Sequence, residues 1–264
     1  MITILLIMFF GVSTLPQSPA PSVRDSLKAS AHTQSKQVGA RPEVDIRIAH
    51  PEYNAIGRVD ALLPAGISHG TGVLINECLV LTNRHVIGEA GKEVTFRVGY
   101  TGDPNNPFAY TIKGTVVGTG GQGYDDYAHY EDWAIVRLNR SIGNKINQSG
   151  VGAIPAIFAD VDRVKNCINP EIIGFPNNHR EDRITKHSNC PFKVGGGGVF
   201  GFSCSIESGE SGSPVLCRDT NGVLKIIALA RSSEGPNVVG AINLSYEQKE
   251  IRIVLNEHGG NCNK

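Results

Sequence analysis

From Ile56 to Leu244 the apolar residues of this chain come in short runs punctuated by turn formers. The first series reads HGTGVLI, CLVLTN, EVTFRVGY, AYTIKGTVVG and DWAIVRL; the second reads EIIGFP, GVFGFSC, SPVLC, VLKIIALAR and NVVGAINL. Such runs are too short for stable helices and of the right length for strands. The Gly/Asn-rich connection NRSIGNKINQSGVGAIP divides them, so the expected fold is all-β, with one unit over residues 56–150 and another over 151–244. Only SYEQKEIRIVLNEHGG changes period. There Ser245 and Gln248 form a capping box, Ile251, Ile253, Val254 and Leu255 supply apolar positions, and Gly259 offers a stop, which predicts a terminal helix and tail over 245–264.

Ahead of these units, residues 1–20 hold an apolar run from Ile4 to Val12 and a small-residue site ending at Ala20. That run is too short to cross a bilayer and reads as a secretory signal peptide, although no Lys or Arg precedes it. Residues 21–55 are polar, with scattered Ser, Pro and Gly, and read as a linker or pro-segment. The expected protein is secreted, to an extracellular or periplasmic space, with no membrane anchor after cleavage. Cys78, Cys167, Cys190, Cys204, Cys217 and Cys262 form an even set, so disulfides are the default in an exported chain. Their irregular spacing, with no CxxC or HxxxH, argues against zinc, and no metal or cofactor is expected. Lys plus Arg and Asp plus Glu both number 25, so no net field points to nucleic acid or an anionic membrane as partner.

The stretch GESGSP sets Ser211 between Gly209 and Gly212. A hairpin loop can read the same way, so a nucleophile here needs partners elsewhere: a base to take the hydroxyl proton and a carboxylate to hold the base's tautomer. Among eight histidines, His85 stands apart because it directly follows the apolar strand CLVLTN, where a side chain can be rigid and still face a cleft. Asp132 opens DWAIVRL, at the mouth of a buried strand, whereas Asp125, Asp126 and Glu131 lie in or beside the polar loop YDDYAHYE. The chain order His, Asp, Ser is one of the known orders for such a triad.

Together, GTGVLINECLVLTNRHV, DWAIVRL and GESGSPVLC resemble the signature segments of trypsin-like serine peptidases of the chymotrypsin fold, especially the secreted bacterial branch that includes the glutamyl endopeptidases. The resemblance covers about residues 56 to 257. It implies two six-stranded antiparallel β-barrels with a C-terminal α-helix, and a monomeric endopeptidase acting on protein or peptide substrates. It also implies His85 as general base, Asp132 as its orienting partner, Ser211 as nucleophile, and the amides of Gly209 and Ser211 as the oxyanion hole. Cys217 matches a family half-cystine whose partner stands where Cys167 is; Cys190 and Cys204 bracket the GGGG turn, and Cys78 and Cys262 remain to tie the terminal helix to the first barrel.

Departures from the pattern matter too. Trypsin-type zymogens mature by burying a new N-terminal ammonium against an Asp just before the nucleophile; here that position is Glu210, and Ile56 and Val38 are the candidate new termini. In the substrate pocket, Ser205 stands six residues before the nucleophile, where trypsin's preference for basic side chains needs an Asp. Ala230 occupies the place of the glutamyl endopeptidases' pocket histidine, and the adjacent Arg231 is either an attractor of acidic side chains or a solvated strand end. An α/β-hydrolase esterase is disfavoured, since its elbow reads GxSxG and its order is Ser, acid, His. The rival from another class is a peptidase fold kept as a catalytically inert binding module.

Overall fold

Strand β4, Glu93–Val98, illustrates how the first unit is built: Val94, Phe96 and Val98 are buried while Glu93, Thr95 and Arg97 are not. Alternation of this kind puts one face of a strand on a core and the other toward water. The computed structural model describes residues 46–99, 108–121, 131–142, 154, 167, 169–177, 183–194, 199–202, 204, 206–218, 221–235, 238–244, 248–260 and 262. Besides β4, the first unit contains β1 (Ile56–Leu63), β2 (Gly66–Leu74), β3 (Leu79–Thr82), β5 (Tyr110–Thr119) and β6 (Ala134–Leu138). They pair in the order β1-β2-β3-β6-β5-β4, and β4 returns to β1 to close a six-stranded antiparallel barrel. β3 and the apolar residues of β6 are buried without alternation, because elements pack on both of their faces.

The second unit departs from the expected closed barrel. Its strands are β7 (Glu171–Gly174), β8 (Thr185–His187), β9 (Phe192–Val194), β10 (Val199–Phe202), β11 (Pro214–Arg218), β12 (Leu224–Gly235) and β13 (Val238–Asn243). Among the described residues they form one seven-stranded sheet in the order β8-β7-β11-β12-β13-β10-β9, with β8 and β9 as unpaired ends. These two end strands follow one another in the chain across only residues 188–191. The sheet has therefore curled until its ends lie within reach of a short connection, but among the described residues hydrogen bonds do not close it.

Three strands were not among the sequence-level runs. β8 and β9 have three residues each, too few to show a period. β1 carries Arg58 and Asp60, which look like loop residues but neutralise each other on one strand face, with Arg58 Nε 2.8 Å from Asp60 Oδ1. Residues ahead of β1 also belong to the fold from Ile46 onward. A helical turn, Ile46–Ala49, leads into a 3-10 turn, Pro51–Ala55, whose Tyr53 and Ala55 are fully buried. Tyr53 donates its hydroxyl hydrogen bond to Glu171 of β7 at 2.5 Å, and Arg47 packs its guanidinium against the rings of Phe108 and Phe175. The proposed signal peptide, residues 21–45 and the 150/151 boundary lie outside the described residues.

The terminal helix spans Gln248–His258. Ile251 is buried, Val254 and Leu255 pack beside it on the core, and Ile253 points to solvent. The apolar stripe is thus the i, i+3, i+4 set, with Ile253 outside it. Ser245 of the expected capping box lies outside the described residues. Cys78 joins Cys262, Cys167 joins Cys217, and Cys190 joins Cys204. The first of these ties the end of the helix to the entrance of β3, closing 184 residues of chain. Replacing Cys78 and Cys262 together by Ser should lower unfolding free energy by about 2–5 kcal/mol, since the cross-link restricts the unfolded chain; chemical denaturation with the other bridges intact measures it.

Candidate active site

Register brings the first two candidate residues together. β3 pairs with β6 so that Thr82 lies opposite Ala134, which puts Asp132, two residues before Ala134, beside the segment that leaves β3. Here the chain enters a short helical turn, Arg84–Ile87. Asp132 holds this turn with its whole acceptor set. Its carbonyl accepts from the Asn83 side-chain amide at 2.8 Å and from the Arg84 N–H at 3.3 Å, and its Oδ1 accepts from the His85 N–H at 2.8 Å. Oδ2 lies 2.5 Å from His85 Nδ1.

A carboxylate can only accept, so Nδ1 carries the proton of this bond, and in the neutral imidazole the lone pair then belongs to Nε2. Asp132 is almost buried, whereas a third of the His85 side chain is exposed. The arrangement is an imidazole with one nitrogen locked and part of its ring open to solvent. Arg231 of β12 also reaches this carboxylate, its Nε 3.4 Å from Asp132 Oδ2. It is therefore turned toward the carboxylate that holds His85, a contact that its place in IIALARSS did not signal.

Ser211 lies in a tight loop clamped against β2. Its carbonyl accepts from the Thr71 N–H at 2.8 Å, and Thr71 Oγ1 donates to the Gly209 carbonyl at 3.0 Å while accepting from the Phe175 N–H at 2.9 Å. Gly209 and Gly212 adopt φ of +94° and +86°, which L side chains rarely take. A Cβ on Gly212 would also overlap the Thr71 carbonyl and the Thr82 hydroxyl, so glycine is what lets the loop sit against the strands leading to His85. Gly70 similarly leaves room for both Val86 and the Ser211 carbonyl.

Two carbonyls of the loop are pinned from the protein side. Ser208 accepts from the Asn177 N–H at 2.7 Å and Glu210 accepts from the Ser213 N–H at 3.0 Å. In a trans peptide the N–H points opposite to the C=O. The amides of Gly209 and Ser211 are consequently turned away from those partners.

Glu210 is fully buried. Its Oε1 takes the Thr185 hydroxyl and lies 2.8 Å from His187 Nε2; its Oε2 accepts from the Glu207 N–H at 2.6 Å. Burial pushes its carboxyl up, but the hydrogen bond and charge of His187, with the Thr185 hydroxyl and the Glu207 amide, together hold it below the ordinary glutamate range. Of the pocket candidates, Ala230 is buried and bonds through its N–H to the Ser213 carbonyl at 2.8 Å, and Ser205 lies outside the described residues. Among the described residues no group of three or more His, Cys, Asp or Glu could hold a metal ion.

A family model described as a trypsin-like peptidase domain matches residues 70–224, more than half of the chain. Exfoliative toxin A of Staphylococcus aureus is 28% identical over 208 residues, covering 74% of this chain and 66% of the toxin, just under two thirds of its length. Among solved structures, the thermostable serine protease AL20 from an extremophilic microorganism superposes with a TM-score of 0.58 at 14% identity, covering 79% of this chain and 98% of that one. The protease Anisep from Arthrobacter nicotinovorans gives 0.57 at 16% identity, covering 76% and 95%. At such identities these structures speak for the fold alone.

Two measurements check the geometry. Thr71→Val removes a buried hydroxyl that serves two backbone groups, so stability should fall by about 1–3 kcal/mol for each group left without a partner, read by thermal or chemical denaturation. Glu210 ionises below its unfolded value, so its stabilisation is complete above the ordinary glutamate range and is lost as pH falls through the lower folded value. Glu210→Gln should remove that part of the acid unfolding curve followed by circular dichroism.

Proposed function

Because the chain belongs to the trypsin-like peptidase family, we propose that it is a secreted serine endopeptidase in which Ser211, His85 and Asp132 form the catalytic triad. The observation that carries this reading is the locked imidazole: Asp132 fixes the backbone of His85 and its Nδ1 at once, leaving Nε2 as a base of defined direction. As Ser211 Oγ bonds to the scissile carbonyl carbon, His85 Nε2 takes the hydroxyl proton, and Asp132 stabilises the imidazolium that results. The tetrahedral oxygen is met by the amides of Gly209 and Ser211, and loss of one such donor costs about 3 kcal/mol of transition-state stabilisation. Collapse of this intermediate breaks the C–N bond, and the proton passes from His85 to the leaving amine. Water then attacks the acyl-enzyme with His85 again as base, releasing the new carboxylate and restoring the Ser211 hydroxyl.

The substrate lies in the cleft between the closed barrel and the curled sheet, which serves as the second barrel of the architecture. Arg231, engaged by Asp132 through Nε, stands where the cleft wall meets the base, and the preference for the side chain ahead of the cut bond is to be read from a peptide-library cleavage profile. Secretion is supported by the pairing of all six cysteines, which oxidising compartments favour.

Ser211→Ala should abolish labelling by a fluorophosphonate probe with the circular dichroism spectrum unchanged; labelling that persists would assign the chemistry to another nucleophile. Asp132→Asn should lower turnover by roughly four orders of magnitude, because the imidazole is then held in the wrong tautomer. A folded, processed wild-type chain that neither labels nor cleaves would mark an inert module.

A further inference from the structure

Glu210 occupies the position where trypsin-type enzymes place the acid that receives a new N-terminal ammonium. In this chain that carboxylate is already served from within. Its Oε1 faces Thr185 and His187, both from β8, and its Oε2 faces the Glu207 N–H. Gly174 of β7, directly opposite Thr185, gives the side chain passage: a Cβ there would overlap the Ser213 hydroxyl and come within 3.2 Å of Glu210 Cβ and Cγ. The nearer candidate terminus is also committed elsewhere. Ile56 is fully buried and pairs with Val73 in the barrel, behind a packed segment that contributes Tyr53 and Ala55 to the core. A cut ahead of Ile56 would sever β1 from that packed segment.

The same carboxylate defines the turn that carries Gly209. The Glu210 N–H donates to the Glu207 carbonyl at 3.1 Å while the Glu210 side chain takes the Glu207 N–H, so both ends of the turn 207–210 are closed through one residue. Within that turn the Ser208 carbonyl is held by Asn177, and the Gly209 amide points the other way.

We propose that His187 is a positioning residue that anchors Glu210, so that β8 and not a proteolytically exposed N-terminus holds the Gly209 and Ser211 amides in their oxyanion-binding orientation. The proposal rests on the serine-peptidase reading and adds to it how the loop is held. The ionised carboxylate can only accept, so His187 Nε2 is the donor, and the bond requires an N–H at that position more than a full positive charge. His187→Leu removes the donor. His187→Gln keeps an N–H donor at nearly the same reach, and Glu210→Gln keeps the shape of the acid while removing its charge.

The test compares these three variants with the wild type, each with its N-terminus sequenced and its fold checked by circular dichroism and thermal midpoint. It uses fluorophosphonate labelling rate, kcat and KM on a cleaved peptide, and hydrogen exchange of the 207–213 segment. His187→Leu and Glu210→Gln should lower kcat by about 100- to 1,000-fold, the effect of losing an oxyanion donor, with KM little changed and exchange in 207–213 faster. His187→Gln should return kcat to within about tenfold of wild type and restore protection, and one residue added ahead of the mature N-terminus should leave activity unchanged. Wild-type kcat and protection in a folded His187→Leu would overturn the proposal, as would equal loss in the Leu and Gln variants or inactivation by the added residue. Should the wild type fail to label while protection of 207–213 still follows His187, the peptidase reading falls and the anchor stands.

Discussion

Thr71 is where the two halves of the molecule are joined. Its N–H and hydroxyl reach the Ser211 and Gly209 carbonyls, its hydroxyl oxygen receives the Phe175 amide, and its own carbonyl accepts the Thr82 hydroxyl at 2.7 Å. One buried residue of β2 thus connects the serine loop, the start of the second sheet and the strand that leads to His85. Each of these bonds replaces one made to water and so adds little net stability, but a broken one strands a buried polar group at higher cost. The placement of the Ser211 loop against the strands that lead to His85 follows from this accounting, since any displacement of the loop breaks several such bonds together.

Two buried carboxylates, Asp132 in the first half and Glu210 in the second, are treated alike. The Asp132 carboxylate meets the imidazole and the backbone amide of His85, and Glu210 meets an imidazole, a hydroxyl and a backbone amide. Burying an anion is costly unless directed donors replace its water, and here the donors belong to segments whose position matters. Asp132 gathers the turn after β3; Glu210 gathers the turn before Ser211. Desolvation is what gives each acid the leverage to order its surroundings.

What could be read from the chain depended on how far apart the cooperating residues lie. Alternation in EVTFRVGY and AYTIKGTVVG marked strands because the cause is local; the family resemblance matched Cys217 with Cys167, and the other four cysteines, read by their places in the chain, pair as expected. His85 and Asp132 were legible as single residues at strand ends, and the β3–β6 register supplies the contact that no local pattern contains. The partners of Glu210 were not legible. Thr185 and His187 sit in RITKHSN, a polar stretch that reads as loop; the one available signal was that residues two apart on a strand share a face. The ends of the second sheet were missed for a related reason, since a three-residue strand has no period to display.

The curled sheet has a consequence of its own. An open sheet ordinarily exposes two rows of unpaired backbone groups, on which another chain can build. Here, among the described residues, both edges are only three residues long, and they are joined by the short connection 188–191, stapled at Cys190 to Cys204. Edges so short offer a foreign strand little to pair with. A barrel left unclosed in this way shields its own seam from foreign strands, at the expense of a few hydrogen bonds that a complete cylinder would have made.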